Sequence, residues 1–189
     1  GMLKSGTSSL QAFFTQLGYK SAHWIVPPGK MIGDLILQAK SENLPLLHYL
    51  DSFDALTEIN KVQLGTFGKC YFPQIEDFDQ LYEENKKALF ILNTRNIKDH
   101  VNSFVKWHST DKFMYMNCPH LFVNATGTEI PEKLESLILA HNDRIRNFFK
   151  HKPEAKFIEF NIDIDKANVF EKFFDTKNIT FPHENKTKP

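Results

Sequence analysis

At 189 residues, the chain has the length of one domain built on one core. Hydrophobic residues at 41% and charged residues at 24% give the balance of an ordinary globular protein, with 18 phenylalanines to fill its interior. Lysine plus arginine equals aspartate plus glutamate at 23 each, so the net charge is zero; this argues against a general nucleic-acid binder and requires any anion site to be built from local geometry.

From Ser8 the pattern is helical, with Leu10, Phe13, Phe14 and Leu17 on one stripe and Gly18 as the stop. Lys20 to Val26 reads as a short strand broken by Pro27-Pro28-Gly29. Met31, Ile32, Leu35, Ile36 and Ala39 predict a second helix ending near Asn43, while Leu44 to Ile59 fits a strand, a helical turn or both. Phe72-Pro73 leads into a helix carrying Ile75, Phe78, Leu81 and Tyr82, and Ala88 to Leu92 reads as a buried strand. Helical spacing returns with Ile97, Val101, Phe104 and Val105. Residues 109–130, rich in Gly, Pro, Asn and Thr, predict a long loop or lid.

The next helix starts near Pro131 and Glu132, and its stripe runs from Leu134 through His141 and Ile145 to Phe149. Phe157 to Ile162 predicts another strand, Val169 to Phe174 a short last helix, and the tail is polar. No internal repeat or linker divides the chain, so residues 1–189 are expected to form a single domain. Strands alternating with helices predict an α/β fold: a three-layer arrangement with a central, mostly parallel sheet flanked by helices. Cys70 and Cys118 are too few for a disulfide framework; two reduced thiols are the favoured reading, with a single bridge as the alternative. With no apolar run of membrane-span length and no secretory signal, the chain reads as cytoplasmic. Asn-X-Ser/Thr triplets at Asn124, Asn178 and Asn185 decide nothing by themselves.

The chemistry-bearing segment is Lys4-Ser5-Gly6-Thr7-Ser8-Ser9. It lacks the Gly-Lys-Ser/Thr of the nucleotide-hydrolase P-loop, which argues against a small-molecule kinase. Gly6 permits close backbone approach, and the amides and hydroxyls of a helix start favour an anion, to which Lys4 adds charge. A plain helix cap beside a solvated lysine is the competing reading.

This string resembles the 5′-phosphosulfate loop of sulfotransferases, which use 3′-phosphoadenosine 5′-phosphosulfate as sulfuryl donor. The family's second signature is an Arg after a buried strand and a Ser eight residues later; Arg95 and Ser103 follow Phe90 to Thr94 at that spacing. Phe72-Pro73, His141-Asn142 with Ile145-Arg146, and Phe181 to Asn185 look like a compact subgroup of the family. The resemblance implies a P-loop-like sulfotransferase fold, in which a central strand precedes the loop; here the loop follows Gly1 almost at once. It further implies Lys4 on the sulfate or bridging oxygen, Ser5, Gly6, Thr7, Ser8 and Ser9 around the 5′-phosphate, and Arg95 with Ser103 on the 3′-phosphate. Where many members stack adenine on a Trp, this chain has Ser9, so adenine is expected to be held by residues of the 109–130 segment. The base is expected near a strand end between the two motifs: Glu58 first, Asp54 second, His48 third. The implied reaction needs no metal, and His108, Cys118 and His120 show no ligand spacing. The acceptor is expected to be a small molecule or carbohydrate bearing a hydroxyl or amine, and a non-catalytic nucleotide-binding module of the same fold is the alternative.

Overall fold

The structure is a computed structural model that describes residues 1–62, 70–107, 109–122 and 129–184. His108, Asn124 and Asn185 lie outside the described residues. Helix α1 (Thr7–Gln16) starts directly after the loop, with the Leu10, Phe13 and Phe14 stripe buried. The strand expected over Lys20 to Val26 is split into β1 (Ser21–His23) and β2 (Ile25–Val26), because Trp24 between them takes a left-handed conformation at φ 57. Strand β3 (Lys30–Met31) then leads into α2 (Ile32–Ser41). The ambiguous stretch resolves into a 3-10 turn at His48–Leu50 and β4 (Ala55–Thr57).

Strands β5 (Lys61–Val62) and β6 (Cys70–Tyr71) form an antiparallel pair. The helix expected after Phe72 is two helices, α3 (Pro73–Glu76) and α4 (Phe78–Glu84). Asp77 breaks them; its carboxylate takes the Tyr71 hydroxyl at 2.5 Å and Lys40 Nζ at 2.6 Å instead of continuing a helix. Next come β7 (Leu89–Thr94) and α5 (Ile97–Lys106), which Asn96 caps by accepting from the amides of Lys98 and Asp99 at 3.0 and 3.3 Å. The expected lid is corrected in part: it holds α6 (Thr110–Asn117) and a 3-10 turn at Pro119–Leu121, with Met114 fully buried. Helix α7 (Ile130–Lys150), β8 (Lys156–Asn161) and a 3-10 turn at Ala167–Phe170 complete the described elements.

Among the described residues the expected single central sheet is not observed. Strands run in order β3-β2-β1-β4, with β1 and β4 parallel, and separately as the parallel pair β7-β8. The backbone edges of β4 and β7 instead face a cavity of about 520 Å³, lined by Phe53 to Ile59 on one side and Ala88 to Asn93 on the other. The parallel pair β7-β8 packs side chains on both of its faces. Alternation sends Ile158 and Phe160 toward α1, where Phe160 meets Phe170 at 5.0 Å, and Phe157 to the other face, stacked on Phe149 of α7 at 4.2 Å.

The cysteines are also corrected. Cys70 and Cys118 are joined in a disulfide, because β6 and the end of α6 bring their Cα atoms within 5.5 Å. Thiol chemistry therefore no longer argues for a reducing compartment. No described helix is long and apolar enough to cross a membrane.

Candidate functional site

Parallel strands place their carboxyl ends together, and ligands of α/β folds gather at that edge. Here one cavity of about 820 Å³ is lined by residues at or just past the ends of β1 (His23, Trp24), β4 (Glu58), β7 (Arg95) and β8 (Ile162, Asp163). The loop Lys4 to Ser9 enters the same cavity.

The loop's shape follows from two left-handed residues, Lys4 at φ 65 and Gly6 at φ 89. Only glycine fits the second: a Cβ there meets Ile162 Cδ1 at 2.0 Å. Three side chains of the β7-α5 segment then hold three successive carbonyls of the loop. His100 Nε2 donates to Leu3 O at 2.8 Å, Arg95 Nη1 to Lys4 O at 3.2 Å, and the Asn93 amide to Ser5 O at 3.1 Å. Burial pushes the His100 imidazole down to about 4, with the Arg95 charge acting in the same direction against the bond to Leu3, so the ring is neutral at pH 7. The backbone is thus fixed before any ligand arrives, with the first turn of α1 directed at the cavity.

Of the residues expected from sequence, Lys4, Gly6, Thr7, Ser8, Ser9, Glu58, Arg95 and Ser103 all line this cavity. Two do not. Ser5 is fully buried, bonded to Met2 O and to the Asn93 amide, and so shapes the loop from within. Asp54 sits at the opposite end of β4 from Glu58, accepting the Lys20 amide at 2.8 Å. His48, the third candidate base, lies on an exposed turn away from the cavity. Ser9 is fully buried, and its hydroxyl accepts the Glu184 amide at 2.9 Å, which ties the tail to the loop.

Glu58 is where the site concentrates. At φ 61 its backbone turns out of β4, and its carbonyl accepts the Trp24 amide at 3.2 Å. Its Oε2 accepts from Thr7 Oγ1 at 2.6 Å and lies 3.2 Å from His23 Nε2. That same nitrogen is 3.1 Å from Thr7 Oγ1 and 3.3 Å from Ser8 Oγ. Lys4 places its ammonium over the Trp107 ring at 4.3 Å. Burial lowers the Lys4 pKa, Glu58 opposes that shift, and Arg95 adds to it. Arg95, whose Nη1 holds the Lys4 carbonyl, approaches Asp163 with Nη2 at 3.8 Å, and its Nε is buried with no described partner. Ser103 is buried one helical face away on α5.

Sequence reasoning missed His23, Trp24, Lys106, Trp107 and Asp163. His23 carries a signal only in hindsight: it ends a strand, but the register His23 to Thr57 that sets it beside Glu58 is a tertiary fact. The chemical capacity of the assembly is plain. It offers fixed amides and hydroxyls for an anion, three cationic side chains on its lining (Lys4, Arg95 and Lys106), and the Glu58 carboxylate beside the loop.

A family model described as "Sulfotransferase domain" matches residues 1–188. No curated protein matches the chain significantly.

Proposed function

We propose that this chain, which belongs to the sulfotransferase domain family, transfers the sulfuryl group of 3′-phosphoadenosine 5′-phosphosulfate to a hydroxyl or amine of a small-molecule or carbohydrate acceptor. The observation that carries the reading is one cavity lined both by the loop Lys4 to Ser9 and by Arg95, Ser103 and Lys106 of the β7-α5 segment. A donor with phosphates at both the 5′ and 3′ positions of one nucleotide uses the loop and the β7-α5 cations together, whereas a nucleotide with a single phosphate chain leaves one of the two groups unused. Thr7, Ser8 and the first turn of α1 hold the 5′-phosphate; Arg95 and Ser103 take the 3′-phosphate. Within a cavity of about 820 Å³, Trp107 beside Lys4 and Trp24 beside Glu58 supply apolar walls for the remaining ligand surface.

In the transfer, the acceptor oxygen or nitrogen bonds to sulfur from the face opposite the leaving oxygen. The bond from sulfur to the phosphate oxygen breaks, and its electron pair leaves with 3′-phosphoadenosine 5′-phosphate. Lys4 balances the charge that develops on that oxygen. The acceptor's proton passes to Glu58, the carboxylate of the cavity wall that adjoins the loop. No described group of three His, Cys, Asp or Glu residues is arranged to hold a metal.

Thermal denaturation with nucleotides tests the donor assignment. 3′-Phosphoadenosine 5′-phosphate should raise Tm far more than AMP or ATP at equal concentration. Equal shifts, or none, overturn it.

A further inference from the structure

The Glu58 carboxylate occupies an anion-binding group. Thr7 stands at the first position of α1, where its hydroxyl faces the place a phosphate takes, yet that hydroxyl is given to Glu58 Oε2 at 2.6 Å. A hydroxyl has one proton to donate, so it serves one anion at a time. A phosphate at Thr7 and a carboxylate hydrogen-bonded to the same Thr7 therefore exclude each other.

We propose that Thr7 is a latch between donor and base: its hydroxyl is held by Glu58 or by the incoming phosphate, so that filling the loop releases the carboxylate toward the acceptor. His23 is the positioning residue that makes the release productive. Its Nε2 lies 3.1 Å from Thr7 Oγ1 and 3.2 Å from Glu58 Oε2, so it can retain the carboxylate at the cavity wall when Thr7 turns away. The left-handed backbone at Glu58, bonded through its carbonyl to the Trp24 amide, fixes the pivot and leaves the side chain to move. Donor would then bind before acceptor, because the base is engaged until the phosphate arrives. The latch rests on the reading that the loop takes a phosphate, but not on which nucleotide carries it.

The test is calorimetric titration of 3′-phosphoadenosine 5′-phosphate, and separately inorganic pyrophosphate, into the wild-type chain, Glu58→Gln, Thr7→Val and the double variant. Glu58→Gln leaves only a weaker neutral acceptor for Thr7. It should bind both ligands about tenfold more tightly, the equivalent of one charge-assisted hydrogen bond no longer lost on binding. In the Thr7→Val background the same change should gain less than about threefold, because no hydroxyl remains to be freed. Thr7→Ser keeps the hydroxyl and must preserve the full gain, which decides the matter if Thr7→Val fails to fold. Equal gains with and without the hydroxyl would reduce the effect to charge repulsion and overturn the latch, as would no gain at all. Should pyrophosphate show the Thr7-dependent gain while the 3′-phosphorylated nucleotide binds no better than AMP, the donor assignment falls and the latch stands. Failure of wild type to bind either ligand removes both.

Discussion

Replacing His100 with Gln should remove an acid-sensitive step from the stability of the loop. His100 donates to Leu3 O at 2.8 Å and is 2% exposed, and burial is the first cause of its low pKa of about 4 against an ordinary 6.5. In the unfolded chain the ring takes a proton near pH 6.5; in the folded chain it refuses one until about pH 4. Between those values the unfolded state binds more protons, so stability falls as pH falls through the window and is unaffected above it. At roughly 1.36 kcal/mol for each tenfold change in proton affinity, the full penalty is about 3 kcal/mol, of which about 2 kcal/mol has accrued by pH 5. Gln places a neutral amide donor at the reach of the His Nε2 and keeps the bond to Leu3 O, but cannot titrate. Urea unfolding of both proteins at pH 7.5 and pH 5 should therefore show the wild type losing about 2 kcal/mol more than the variant. Comparison of the two chains cancels other groups, including His141, whose pKa burial lowers to about 3. Identical pH dependence in the two proteins would refute the idea that this buried ring clamps the loop as a neutral donor.

Arg95→Ala should weaken 3′-phosphoadenosine 5′-phosphate by roughly 10- to 100-fold more than it weakens 5′-AMP, whose own loss reports only the missing bond to the Lys4 carbonyl; equal losses in calorimetry would remove Arg95 from the 3′-phosphate. Because burial lowers the Lys4 pKa from 10.5, donor affinity should fall with rising pH earlier than an ordinary lysine allows. Lys4→Arg should flatten that profile, and a wild-type profile already flat to high pH contradicts the role given to Lys4. The Cys70–Cys118 bridge closes a loop across 48 residues, so its reduction should lower stability by up to about 4 kcal/mol in a chain-entropy estimate. Thiol titration of the native protein should find no free cysteine before reduction.

The parts legible in the sequence were those carried by local pattern. The α1 stripe, the apolar run of β7 and the α7 stripe each encode their element through spacing. The loop and the Arg95 to Ser103 spacing were read through their resemblance to the two sulfotransferase motifs, and one cavity is lined by both. What failed was tertiary. Asp54 and Glu58 look alike along the chain, yet β4 runs between them and carries one to each end of the strand. His23 acquires its neighbours only from the parallel pairing of β1 with β4. Asp77 breaks a helix for the sake of Tyr71 and Lys40, partners remote from any local rule. Cys70 and Cys118 meet because β6 and the end of α6 come together, a closeness that neither position announces.

The central claim is sulfuryl transfer, and the most direct measurement follows the fate of the donor itself. The wild-type chain and Lys4→Ala are incubated with 3′-phosphoadenosine 5′-phosphosulfate and a panel of hydroxyl and amine acceptors, and nucleotide product and sulfated acceptor are both quantified. The account predicts one equivalent of sulfated acceptor for each 3′-phosphoadenosine 5′-phosphate released, both lost in Lys4→Ala. A wild-type chain that binds the nucleotide tightly yet leaves the donor intact across the panel, as Lys4→Ala does, would contradict it and leave a nucleotide-binding module.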